Sequence, residues 1–147
     1  MLPSTLGLFL GVALAVSALA SCAGGALGRG ASAEALSEAR SAAPDGAGVF
    51  ERDCAICHGK RGQGATAVPP LMGGGALARE SEERPPFVTA ADVFDYVKRE
   101  MPLPKNRVGT LSDAEYWSVT DFMLRAHGVE LPASGLTSEN AKSVSLP

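Results

Sequence analysis

The sequence has 147 residues, enough for one domain once processed or flexible ends are set aside. Its 13 basic and 16 acidic side chains give a net charge of −3 with no block of five like charges, which excludes the basic footprint of a nucleic-acid binder. Aromatic residues make up only 5%, few for a domain that must fill its own core, so another apolar body is expected inside the fold.

The chain opens on an uncharged apolar run, "LGLFLGVALAVSALA" at 6–20. A bilayer-spanning helix needs ~20 such residues, so this shorter run suits the apolar region of a secretory signal. It passes through Leu19, Ala20 and Ser21 into Cys22, a sequence that resembles the lipobox of bacterial lipoproteins, although "MLPST" lacks the usual Lys or Arg. The resemblance implies that 1–21 are a signal peptide and that Cys22 is acylated as the first mature residue. The expected location is the periplasmic side of a bacterial membrane. Ala23, where an inner-membrane retention signal would have Asp, leans towards the outer membrane. Export places Cys54 and Cys57 in an oxidising compartment as the remaining pair.

Residues 22–44 are dominated by Ala, Gly and Ser after the cysteine, and read as a tether reaching ~25 Å as a flexible coil. The domain is expected at 45–128, with a C-terminal tail at 129–147. Its first helix, at 45–56, sets Gly46, Phe50 and Cys54 along one face. The second starts from Thr89, with Asp92 in a near capping box, and stops before Pro102. The third is marked by an S-x-x-E box of Ser112 and Glu115. It ends at His127 with Gly128 beyond, and turns Tyr116, Val119, Phe122, Met123 and Ala126 inward. No strand pattern survives beside these. The Gly- and Pro-rich stretch between the first two helices is too long for a plain connection in so small a domain, which supports a bound cofactor.

The chemistry lies in "CAICHGKRGQG" at 54–64. C-x-x-C-H supplies two thiols at the spacing of the two haem vinyl groups and an imidazole on the same turn, the pattern of c-type haem attachment. Cys54 and Cys57 would form the thioethers and His58 the proximal iron ligand. A thioredoxin-like C-x-x-C would need a βαβ pattern, which is missing. A structural zinc site would need a fourth ligand, for which only His127 remains. That residue falls in a last helical turn, where an imidazolium suits the helix dipole without any ligand role.

The motif and helices over 46–127 resemble the small class I cytochromes c of the bacterial periplasm. The resemblance implies an all-α cytochrome c fold, with three main helices and long loops wrapped around one covalent haem c. It also implies that Gly46 and Phe50 cross closely against Val119 and Phe122. In "VPPL" at 68–71, Pro69 would accept the outer-nitrogen proton of His58 and Leu71 would pack on the porphyrin. In "REMPLPKNRVGTLSDAEYWSVTDFML" at 99–124, Met101 would be the sixth ligand. Met123 lies on the inward stripe of the last helix. Met72 is the rival, but it follows His58 closely, beside residues already engaged on the histidine side.

The function implied is one-electron transfer by an exported, lipid-anchored monohaem cytochrome c, not itself an enzyme, a reading compatible with its being the cytochrome subunit of an oxidoreductase. Its partners would be redox proteins and a membrane, with no nucleic acid and no small-molecule substrate. Lys60, Arg61, Lys98, Arg99, Lys105 and Arg107 form either a steering patch for an acidic partner or an ordinary solvated face. Two other readings stay open: a haem-based gas or redox sensor in which Met101 is displaced, and a zinc-stabilised structural lipoprotein.

Overall fold

The computed structural model describes residues 30–77 and 86–147. The expected signal peptide at 1–21 and the expected acylation of Cys22 fall outside the described residues.

Helix α1, Ala33–Ala42, starts where the Ser32 side chain accepts the Ala35 N–H at 3.0 Å. Glu34 in its first turn and Arg40 in its last match the helix dipole. Helix α2, Pro44–Val49, begins on a proline, whose missing N–H costs nothing at a first turn. It runs through a π-helical turn, Phe50–Cys54, into α3, Ala55–His58. The widened turn carries both Phe50 and Asp53 to the inside. Helix α4, Ala90–Glu100, and helix α5, Asp113–Ala126, both start with the expected capping boxes, Thr89 with Asp92 and Ser112 with Glu115. After α5 the chain turns at Gly128, φ 76°, where the Val129 N–H reaches Leu124 O and the Gly128 N–H reaches Arg125 O.

Helix α5 is the central element, with α1, α2 and α4 all packed on it. Its inward residues Tyr116, Val119, Phe122, Met123 and Ala126 are all buried. Gly46 lets α2 cross α5: a side chain there would run into the Ser118 carbonyl oxygen and lie 2.9 Å from Phe122 Cβ. One helical turn on, the Phe50 and Phe122 rings meet at 5.4 Å between centroids. On the α4 side, Phe94 stacks on Trp117 at 3.5 Å and meets Tyr116 edge-on. Among the described residues there is no strand, only the isolated bridges Ala65 to Val68 and Thr89 to Ser145. The architecture is all-α, as expected.

Two boundaries differ from the expected ones. Residues 30–44 are not a tether: α1 packs on α5 and buries Ala31, Leu36, Ala39 and Ala43. Leu36 apart, these are small side chains, which bury little area individually but let helices approach closely. The Ala31 N–H also bonds to Arg61 O, and Arg61 Nε donates back to Ala31 O. Nor is 129–147 a loose tail. Leu136 and Ala141 are buried, and the Ala90 N–H to Val144 O and Leu146 N–H to Val88 O bonds pin the end of the chain to the start of α4. Among the described residues no helix is long and apolar enough to cross a membrane.

Candidate cofactor site

Helix α3 is a single turn, and it sorts the motif by exposure. His58 is buried, Cys54 is half-buried, and Cys57 and Ile56 face outward. The two thiols are free, not joined as a disulfide. Burial pushes the Cys54 thiol up to about 12, with the neighbouring Asp53 charge adding to the effect against Arg52 and Arg107, so it stays a neutral thiol at ordinary pH.

His58 Nδ1–H donates to the Pro69 carbonyl oxygen at 2.9 Å. That bond places the proton on Nδ1 and leaves Nε2 with its lone pair. Burial lowers the His58 pKa, opposed by the bond to Pro69, so the ring is held neutral. The acceptor is itself fixed by a loop folded on its own backbone. Gly59, at φ 79°, ends α3. The Gly64 N–H then bonds to His58 O, the N–H groups of Leu71 and Met72 both bond to Gly62 O, and Ala65 and Val68 exchange N–H···O bonds. Leu71 is partly buried against the core.

The far end of this loop is held by a residue with no such role expected from the sequence. His127 caps the C-terminus of α5 and its Nε2–H donates to Leu71 O at 2.9 Å. Burial lowers its pKa, so it is a neutral donor and not the imidazolium that the helix dipole alone suggests.

Of the two candidate methionines, Met72 is fully buried in the core, with Cβ and Cγ against Gly62. Met101 is partly exposed at the C-cap of α4. Its N–H bonds to Val97 O, and its carbonyl accepts the Tyr116 hydroxyl at 2.8 Å. The Met101–Pro102 and Leu103–Pro104 peptide bonds are cis.

Asp53, next to Cys54, joins the C-x-x-C-H segment to the loop after Met101. Its carboxylate, 3% exposed, pairs with Arg107 at 2.6 Å and with Arg52 at 2.7 Å, and Arg52 continues to Glu115 at 2.7 Å. The proposed cationic patch is therefore largely engaged within the molecule. Arg107 is on Asp53, Lys98 on Asp113, Arg99 on Glu100 and Arg61 on the Ala31 carbonyl. Sequence reasoning missed the roles of Asp53, Tyr116 and His127. The one available signal was the phenol of Tyr116 on an inward helix face, since a buried hydroxyl needs a partner.

Two thiols on the turn that ends in an imidazole with a free Nε2, and a methionine at the C-cap of α4, make a donor set that fits a covalently held haem. A zinc site lacks its ligand set: among the described residues no three His, Cys, Asp or Glu side chains are gathered to hold a metal ion.

Comparison with known proteins agrees. Residues 41–123 match the family described as cytochrome c oxidase, cbb3-type, subunit III. The chain is 35% identical over 80 residues to a thiosulfate dehydrogenase of Stutzerimonas stutzeri (strain A1501), covering 51% of this chain and 24% of that protein. It is also similar to a chain in the crystal structure of the sulfane dehydrogenase SoxCD from Paracoccus pantotrophus. That match has a TM-score of 0.57 and 32% identity, over 71% of this chain and 53% of the other. The chain thus spans only part of both relatives.

Proposed function

Because the chain belongs to the cytochrome c oxidase, cbb3-type, subunit III family, we propose that this electron-transfer haem protein is a single-haem carrier built on Cys54, Cys57, His58 and Met101. A haem bound there supplies a one-electron iron couple. Cys54 and Cys57 would hold it through thioethers, on the turn that ends in the ligating imidazole. His58 presents Nε2, while Pro69 O holds the ring's orientation and raises its basicity. Leu71 lines the histidine side. Met101 would supply the second iron ligand, and the burial of Met72 in the core leaves that rival committed to packing.

Held by both His58 and Met101, the iron would have no position open for a substrate, which favours outer-sphere electron transfer. A soft neutral thioether in an apolar pocket favours ferrous iron, so the carrier is relatively oxidising.

The observation that carries this reading is the His58 to Pro69 bond inside a C-x-x-C-H turn with both thiols free. Donor and acceptor are redox proteins. The relatives' names, both dehydrogenases, favour a dehydrogenase as electron donor. The leader and Cys22 favour an exported protein tethered by lipid on the periplasmic side of the membrane.

Mass spectrometry of the protein made in a host that matures c-type cytochromes tests the proposal. One haem mass is expected on the intact chain, surviving acid-acetone, and none on the Cys54→Ser, Cys57→Ser double variant. A wild-type chain without that added mass, or one whose haem extracts freely, would overturn it.

A further inference from the structure

Tyr116 is fully buried on the inward face of α5, and its hydroxyl makes two hydrogen bonds. It donates to Met101 O at 2.8 Å and accepts the Gly109 N–H at 3.0 Å. These two partners are the two ends of the loop that carries Met101 out of α4 and returns the chain to α5. A single oxygen atom therefore closes the loop at its neck. Packing does not require this, because the ring alone would fill the same space against Phe94.

We infer that Tyr116 is the positioning residue for Met101, fixing the backbone from which the sulfur reaches the iron. The inference rests on the reading of Met101 as sixth ligand. A methionine side chain has three rotatable bonds and a neutral, weakly binding sulfur. Its hold on iron therefore depends on how firmly its main chain is placed, and here no side-chain contact of Met101 need supply that firmness. The second anchor of the same loop, Arg107 on Asp53, is a separate side-chain pair that ties the loop to the residue before Cys54.

Tyr116→Phe keeps the ring and removes only the hydroxyl. The test is titration of the ferric holoprotein with imidazole, which competes with Met101, followed through the sulfur-to-iron charge-transfer absorption. Loss of two hydrogen bonds of ordinary strength is expected to tighten imidazole binding about tenfold. The charge-transfer band of Tyr116→Phe should also be weaker before any imidazole is added. Val119→Ala, which removes buried volume from the same helix face without touching the loop, is the control. It should lower thermal stability and leave imidazole affinity at the wild-type value.

Met101→Ala separates the two levels of the argument. If its charge-transfer band persists, the ligand reading falls, and with it the role of Tyr116. If the band is lost in Met101→Ala but Tyr116→Phe binds imidazole like wild type, only the positioning role is overturned. Equal tightening in Tyr116→Phe and Val119→Ala would also overturn it, since general loosening would then account for both.

Discussion

His58 and Pro69 are locked together at 2.9 Å, and the lock is made by backbone and not by a side chain: the acceptor is a carbonyl oxygen whose place depends on how the loop 59–72 folds on itself. Substituting Pro69 therefore leaves the acceptor in existence. What moves it is a change to the loop's path, and the closest approach of backbone to backbone at a glycine on that path is at Gly64.

Gly64 has φ +74°, and a Cβ there would sit 2.5 Å from Val68 O and 2.9 Å from the Pro69 carbonyl carbon. Gly64→Ala is expected to cost roughly 1–3 kcal/mol, from left-handed backbone strain plus displacement of the Pro69 segment. In the holoprotein the midpoint potential should shift as His58 loses its fixed partner. Denaturant melts and redox titration of the same preparation check both halves; a variant as stable as wild type would show that the loop yields without effort.

Two glycines of α2, two residues apart, make opposite predictions from one substitution. At Gly46 a methyl would collide with the Ser118 carbonyl and crowd Phe122, so Gly46→Ala is expected to destabilise by about 1–3 kcal/mol through forced separation of α2 and α5. At Gly48 nothing lies within 4 Å of the added carbon, and Gly48→Ala is expected to stabilise by roughly 0.5–1 kcal/mol through lost freedom in the unfolded chain. Thermal denaturation of the pair decides the matter, and equal signs would refute the close crossing.

The parts of the molecule that were legible from sequence are those whose cause is local. Thr89 with Asp92 and Ser112 with Glu115 announce helix starts because both partners of each box sit three residues apart. The inward stripe of α5 follows from its period. The packing of α1 was hidden because, Leu36 apart, the buried residues of 31–43 are alanines, which composition cannot tell from a linker. Residues 129–147 were hidden because their order comes from bonds to 88–90, far away along the chain. Asp53 and His127 kept their roles concealed for the same reason: the partners, Arg107 and Leu71, lie 54 and 56 residues away.

The Asp53 to Arg107 pair is expected to count for more than an ordinary surface bridge. The carboxylate is 3% exposed but the guanidinium is 43% exposed, so solvent still screens one partner. Arg107→Gln should cost about 1–2 kcal/mol, between the value of an exposed pair and that of a broken buried one. A double-mutant cycle with Asp53→Asn measures the coupling directly. Additivity of the two substitutions within about 0.3 kcal/mol would mean the latch contributes nothing to holding the loop.

His127 sets two effects against each other at the end of α5. The helix dipole favours a positive charge there by ~0.3–1 kcal/mol, while burial and a donated bond to Leu71 O favour the neutral ring. Burial wins, since the pKa is lowered. The folded protein therefore binds this proton less readily than the unfolded chain, whose imidazole titrates near ~6.5. The stability contribution is complete above that value and is lost as pH falls through the lowered folded pKa. His127→Gln supplies a side-chain N–H for the Leu71 carbonyl without a titration. Unfolding free energies measured between about pH 7.5 and 5 should fall with acid more steeply in wild type than in His127→Gln. His58 is lowered for the same reason but is present in both proteins, so it cancels in the difference. Parallel curves would place the charged imidazole in the fold after all and return His127 to the service of the dipole.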